Sequence, residues 1–118
     1  MARPAIIYHN PACGTSRNVL AALRAAGYEP EIVEYLKTPP DRATLENILK
    51  KMGACVRDIL RRRGTPFEEL DLDRPGLTDD EIFAAIAAHP ILIERPIVVI
   101  GEKATLCRPA ERIADLIA

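Results

Sequence analysis

Strand, turn, helix and strand follow one another within about thirty residues of the N-terminus, and that succession restricts the fold more than any other feature. Ala5-Ile6-Ile7-Tyr8 is a short apolar run closed by Asn10-Pro11, which reads as a buried strand ending in a turn. Val19, Leu20, Leu23 and Ala26 then recur at helical spacing, and Gly27 is a natural C-terminal stop. Glu31-Ile32-Val33-Glu34-Tyr35 gives a second strand. A βαβ unit of this kind demands parallel strands joined by a right-handed crossover, so a purely antiparallel sheet is excluded.

The middle of the chain is helical. Asp41 can cap a helix that carries Leu45, Ile48, Leu49 and Met52 on one face and stops at Gly53. Val56, Ile59 and Leu60 form a short apolar stripe stopped at Gly64. Thr78-Asp79-Asp80-Glu81 matches a capping box, with Ile82, Phe83 and Ile86 as the buried face of the helix it starts and Pro90 ending it near His89. "RGTPFEELDLDRPG" reads as a polar connector rich in turn formers. Ile97-Val98-Val99-Ile100, a turn at Gly101-Glu102-Lys103, and Ala104-Thr105-Leu106-Cys107 make an antiparallel hairpin. Pro109 suits the first turn of a closing helix with Ile113, Leu116 and Ile117 inward. The expected fold is α/β: a mixed four-stranded sheet (βαβ … ββα) in one domain over residues 1–118, with a helical insertion at about 41–90.

Bulk properties narrow the function classes. With 118 residues, 48% of them hydrophobic, the chain can bury a real core, and a net charge of −1 gives no general attraction to nucleic acid or acidic membranes. No apolar stretch is long enough to span a bilayer, and "MARPAIIYHN" does not read as a signal peptide. A soluble, cytoplasmic protein with no nucleic-acid or membrane partner is expected. Cys13, Cys55 and Cys107 are an odd number without C-x-x-C spacing, and only His9 and His89 could join them, so neither a disulfide framework nor a metal site is expected.

Cys13 stands at the joint of the first strand and the first helix, in "YHNPACGTSRN". Helix N-termini carry backbone N–H groups without internal partners, so this position favours anions and the thiolate form of a cysteine. Gly14 lets the backbone come close to a bound group, and Thr15 and Ser16 add hydroxyl donors. Lowering a thiol pKa by two units takes roughly 2.7 kcal/mol, whereas a helix terminus contributes about 0.3–1 kcal/mol. A second source is required, and His9 or a nearby arginine is the local candidate. Cysteine phosphatases need C-x5-R to wrap an oxyanion in one loop; Cys13 and Arg17 stand in C-x3-R, which disfavours that reading.

Arginines supply a possible partner for the thiol. Arg61-Arg62-Arg63 reads most simply as a solvated helix face. Arg95 before Pro96 and Arg108 before Pro109 differ, because each sits where the chain enters or leaves the terminal hairpin, near the expected carboxyl end of the first strand. Guanidinium forks match tetrahedral oxyanions with paired hydrogen bonds. A thiol with converging arginines points to nucleophilic attack on a small oxyanion.

"YHNPACGTSRN", "MGACVRDILRR", "TPFEELDL", "HPILIERPIVV" and "LCRP", in that order, resemble the glutaredoxin-dependent arsenate reductases over nearly the whole chain. The resemblance implies a thioredoxin-like fold with a helical insertion. It implies Cys13 as the nucleophile, His9 as the residue assisting its ionisation, and Arg61, Arg95 and Arg108 as the oxyanion-binding arginines. Arsenate would be the substrate, glutathione a co-substrate and glutaredoxin the protein partner, with no bound cofactor or metal. Ser16 stands where dithiol oxidoreductases of this fold carry a second cysteine, so an external thiol must complete the reduction, and Cys55 and Cys107 are expected to be non-catalytic. The fold also implies a cis peptide bond at Arg95-Pro96. Two other readings are a glutathione-dependent mixed-disulfide reductase and a non-catalytic redox-linked regulatory adaptor; the latter commonly carries a C-x-x-C switch that Cys13-Gly-Thr-Ser16 lacks.

Overall fold

The computed structural model describes residues 3–117. In chain order the elements are strand β1 (Arg3–His9), helix α1 (Gly14–Ala25), strand β2 (Tyr28–Glu34), helices α2 (Arg42–Met52) and α3 (Asp79–Ala88), strands β3 (Ile97–Ile100) and β4 (Lys103–Leu106), and a closing helix α4 (Ala114–Ile117). They fall into two compact units, Met1–Thr38 with Arg95–Ala118, and Pro39–Glu94.

The first unit is a four-stranded sheet in the order β2-β1-β3-β4. β1 and β2 are parallel from Arg3↔Tyr28 to His9↔Glu34, as the βαβ pattern requires. β3 runs antiparallel to β1, with Ile7 opposite Val98, and β4 returns antiparallel to β3. Pro30 is tolerated inside β2 because that strand is an edge, where a missing N–H breaks no inner ladder. The hairpin turn is tighter than the sequence implies: Lys103 already pairs with Ile100, so Gly101-Glu102 alone make the turn and Cys107 lies past the strand. Gly101 enables this by taking a φ of 60°, a left-handed conformation costly for residues with a Cβ.

Alternation along β1 puts Ala5, Ile7 and His9 on one side of the sheet. Ala5 and Ile7 pack there with Val19 and Leu23 of α1, Val98 of β3, Cys107 and Ile113; partly buried Leu116 and Ile117 cover the same cluster. Just past the end of α1, Gly27 takes a φ of 88° and reverses the chain, and its carbonyl accepts from the Arg3 N–H at 3.1 Å. The closing segment is less regular than a single helix. Pro109 precedes a 3₁₀ turn over Ala110–Ile113, and only Ala114–Ile117 are α-helical.

In the second unit both helix starts follow the sequence signals. Asp41 Oδ1 accepts the Thr44 N–H at 2.8 Å, and Thr78 and Glu81 form a reciprocal capping box. The stripe at Val56–Ile59 is one 3₁₀ turn rather than a full helix. The polar connector also does more than expected. Phe67 and Leu72 within it are buried, and the Arg62 guanidinium lies 4.4 Å from the centre of the Phe67 ring. Among the described residues no helix is long and apolar enough to cross a membrane.

Candidate active site

β1 delivers the chain to His9 at the edge of the core, and a short loop then sets Cys13 as the N-cap of α1. The Cys13 N–H donates to the Asn10 carbonyl at 2.9 Å, and the Cys13 carbonyl receives the first helical bond, from the Arg17 N–H at 3.0 Å. Arg17 Nη1 closes the outer lip by donating to the Pro11 carbonyl at 2.9 Å. The thiol is therefore held between a strand end and a helix start, and is only partly exposed.

His9 and Ser16 meet on the inner side. Period-two alternation points the His9 ring toward α1, where Nδ1 lies 2.7 Å from Ser16 Oγ; both residues are buried. The Asn10 N–H donates to that same hydroxyl at 3.2 Å. Burial holds the His9 pKa below its ordinary value; Arg17 and Arg24 add to that effect and Glu34 opposes it. His9 thus presents its ring to Ser16, and burial favours its neutral form. The Ser16 hydroxyl likewise faces inward rather than toward an incoming anion, and the group it offers the thiol is its backbone N–H.

The required cations are the two arginines at the ends of the terminal hairpin. Arg108 Nη1 stands 3.6 Å from Cys13 Sγ and 3.2 Å from the Arg95 carbonyl. Arg95 Nε and Nη1 are buried. The peptide bonds Arg95-Pro96 and Arg108-Pro109 are both cis, the first as the resemblance implies and the second unforeseen. The Cys107 N–H donates to the Pro96 carbonyl at 2.9 Å, tying the two arginine-bearing turns to each other.

Burial by itself raises the Cys13 pKa. The Ser16 backbone N–H, hydrogen bonds from Arg95 and Arg108, and the Arg95 charge outweigh it and bring the thiol from 9.0 down to about 7. Near neutral pH the thiolate is therefore a major form, at the base of a donor-rich helix terminus. Cys107 differs: burial pushes it up to about 12, which makes it a core filler. Cys55 is exposed, in the other unit.

The remaining candidates occupy varied places. Thr15 is half-buried in the first turn of α1. A Cβ on Gly14 would meet Arg17 Nη2 at 3.7 Å, an ordinary contact, so packing within the protein does not itself demand glycine there. Arg61 belongs to the Pro39–Glu94 unit, where Nη1 is paired with Glu94 at 2.8 Å and Nε donates to the Arg63 carbonyl at 2.9 Å. Among the described residues no group of three or more His, Cys, Asp or Glu side chains is placed to hold a metal ion. Two residues of the loop, Asn10 and Arg17, make bonds that the sequence did not signal. The Asn-Pro dipeptide signalled the turn but not the bonds that Asn10 makes within it.

A mixed sheet in the order β2-β1-β3-β4, with an activated cysteine where the first strand gives way to the first helix, defines a thioredoxin-like thiol protein. More narrowly, the chain belongs to the ArsC family, whose model matches residues 8–116. It is 54% identical over 111 residues to an arsenate reductase of Rhizobium meliloti (strain 1021) and 49% identical over 111 residues to one of Escherichia coli (strain K12). Each alignment covers 94% of this chain and 79% of the relative. Among solved structures, an arsenate reductase from Vibrio cholerae superposes with a TM-score of 0.92 at 40% identity, covering 98% of both chains.

Proposed function

We propose that this chain reduces arsenate to arsenite with Cys13 as the nucleophile, glutathione as co-substrate and glutaredoxin as the protein that completes the reduction. The observation that carries the reading is Cys13 lowered to about 7 beside Arg95 and Arg108, in a chain of the ArsC family. A thiolate at a helix N-terminus next to guanidinium groups meets both needs of the first step, a charged sulfur and a seat for a tetrahedral oxyanion. Gly14 and Thr15 line that seat. Arg61 joins the arginines on the strength of its motif, "DILRR".

The cycle balances with two external thiols. The Cys13 thiolate bonds to arsenic, and one arsenate hydroxyl leaves as water with a proton taken from solvent. The glutathione thiol displaces a second oxygen, again as water, so that arsenic carries two sulfurs. A glutaredoxin thiolate then attacks the glutathione sulfur. The electron pair of that sulfur–arsenic bond stays on arsenic, which falls from the +5 to the +3 state, and a glutathione–glutaredoxin disulfide forms. Water hydrolyses the last sulfur–arsenic bond, releasing arsenite and the Cys13 thiolate. Because Ser16 replaces a resolving cysteine, no intramolecular disulfide is available to Cys13 within the loop. Use of a reduced glutathione pool supports a cytoplasmic location.

The test is NADPH consumption in the presence of glutathione, glutaredoxin and glutathione reductase, with and without arsenate. An arsenate-dependent rate that disappears in Cys13→Ser and persists in Cys55→Ser is expected. No arsenate-dependent rate in the native chain would remove the proposal.

A further inference from the structure

Asn10 is a buried polar residue, only 6% exposed, at the point where β1 gives way to the loop. Three of its polar groups are spent on that loop. Its side-chain Oδ1 accepts the Ala12 N–H at 3.0 Å, its carbonyl accepts the Cys13 N–H at 2.9 Å, and its N–H donates to Ser16 Oγ at 3.2 Å. One residue is thus bonded to the residue before the thiol, to the thiol's own backbone and to the first turn of α1. Pro11 has no N–H and cannot share this work. The Oδ1 bond closes an Asx turn, which fixes the direction of the chain into Cys13.

We infer that Asn10 is a positioning residue that holds the Cys13 sulfur against the Ser16 N–H and Arg108. The inference rests on the reading of Cys13 as the reacting thiol and extends it to a residue that touches no substrate. The alternatives at this position show why an amide is used. Alanine leaves the Ala12 N–H without its acceptor and frees the turn. Aspartate keeps the acceptor but sets a carboxylate close to a thiolate, which like-charge repulsion disfavours. Serine offers a shorter acceptor that closes a weaker turn of the same kind. The charged and titratable groups around the thiol in its own unit are Arg95, Arg108, Arg17 at the lip and His9 behind Ser16, and none is altered by these substitutions.

The experiment follows alkylation of Cys13 by iodoacetamide against pH, read on its own peptide by mass spectrometry, in the native chain, Asn10→Ala, Asn10→Ser and Asn18→Ala. Asn18 is an exposed residue of α1 outside the loop. The midpoint in Asn10→Ala is expected to rise by about one pH unit, equivalent to a loss of thiolate approaching tenfold on the low-pH side of the curve. Asn10→Ser should lie between it and the native chain, and Asn18→Ala should match the native chain. If Asn10→Ala does not fold, Asn10→Ser decides alone. Midpoints in the folded Asn10 variants equal to the native value overturn the inference. The arsenate assay reports separately: absence of turnover in the native chain with the alkylation shift intact would remove the proposed function and leave the positioning role standing.

Discussion

Arg108 Nη1 lies 3.6 Å from Cys13 Sγ and 3.2 Å from the carbonyl oxygen of Arg95, so one guanidinium joins the thiol to the turn that enters β3. Residues far apart in sequence are held together by this group, and it is charged at every physiological pH. A cation fixed this way favours the thiolate without needing a proton of its own.

Arg108→Ala is therefore expected to raise the Cys13 pKa and to weaken oxyanion binding together. Hydrogen bonds to charged groups are worth about 1.5–3 kcal/mol, so kcat/KM for arsenate should fall roughly tenfold to a hundredfold. Arg95→Ala should fall in the same range, and Arg108→Lys should recover part of the loss, because lysine keeps the charge but not the planar fork. Steady-state kinetics with arsenate as the varied substrate checks all three. Native kcat/KM in Arg108→Ala would show that the guanidinium does not act on the reaction.

The reactivity of the thiol offers a test that needs no substrate. Alkylation of Cys13 should rise with pH around a midpoint of about 7, whereas Cys107, pushed up to about 12 inside the core, should stay unmodified until denaturant is added. Peptide-level mass spectrometry across a pH series separates the thiols. A Cys13 midpoint near 9 would mean that the two arginines and the Ser16 N–H do not overcome burial.

Much of this was legible in the sequence because it is local. The βαβ unit, the Asp41 cap, the Thr78–Glu81 capping box and the placement of Cys13 at a helix start follow from periodicity and capping chemistry over a few residues. Arg95 and Arg108 were legible as arginines converging near the end of the first strand; which of their groups reach the sulfur depends on a sheet order that brings β3 beside β1. His9 was legible as a neighbour of the thiol in sequence, but its partner was not: strand alternation turns the ring toward Ser16, and burial lowers its pKa. Phe67 and Leu72 were hidden for a different reason. They bury themselves from irregular turns, for which periodicity gives no signal.

Ser16→Ala separates the hydroxyl from the backbone of the same residue. Loss of Oγ strips a partner from two buried groups, His9 Nδ1 and the Asn10 N–H, and leaving such groups unsatisfied costs about 1–3 kcal/mol. The Ser16 N–H remains, so the Cys13 midpoint should move much less than in Arg108→Ala. Thermal unfolding and the alkylation series, measured on the same preparation, give the two numbers. An unchanged melting temperature would contradict the buried pair.

Stability should pass through a maximum near pH 9, shaped by Cys13, His9 and Cys107, with Tyr8, raised by burial, adding to the alkaline decline. Cys13 is about 7 when folded and 9.0 ordinarily, so between these values the unfolded chain still holds a proton that the native chain has released. Its contribution therefore grows from pH 7 to 9, is complete above 9, and is lost as pH falls through 7. His9 adds an acid limb of the same sign: with its folded pKa below 6.5, the unfolded state takes up the proton first as pH drops, and stability declines. Cys107 acts oppositely. Its folded value of about 12 exceeds the ordinary 9.0, so above pH 9 the unfolded chain ionises first and stability falls as pH rises. Melting temperatures from pH 5 to 10.5 should flatten between pH 7 and 9 in Cys13→Ser, while Cys107→Ala should weaken the alkaline decline at some cost in overall stability. A native curve already falling between pH 7 and 9, with Cys13→Ser running parallel to it, would show that the folded state does not favour the Cys13 thiolate.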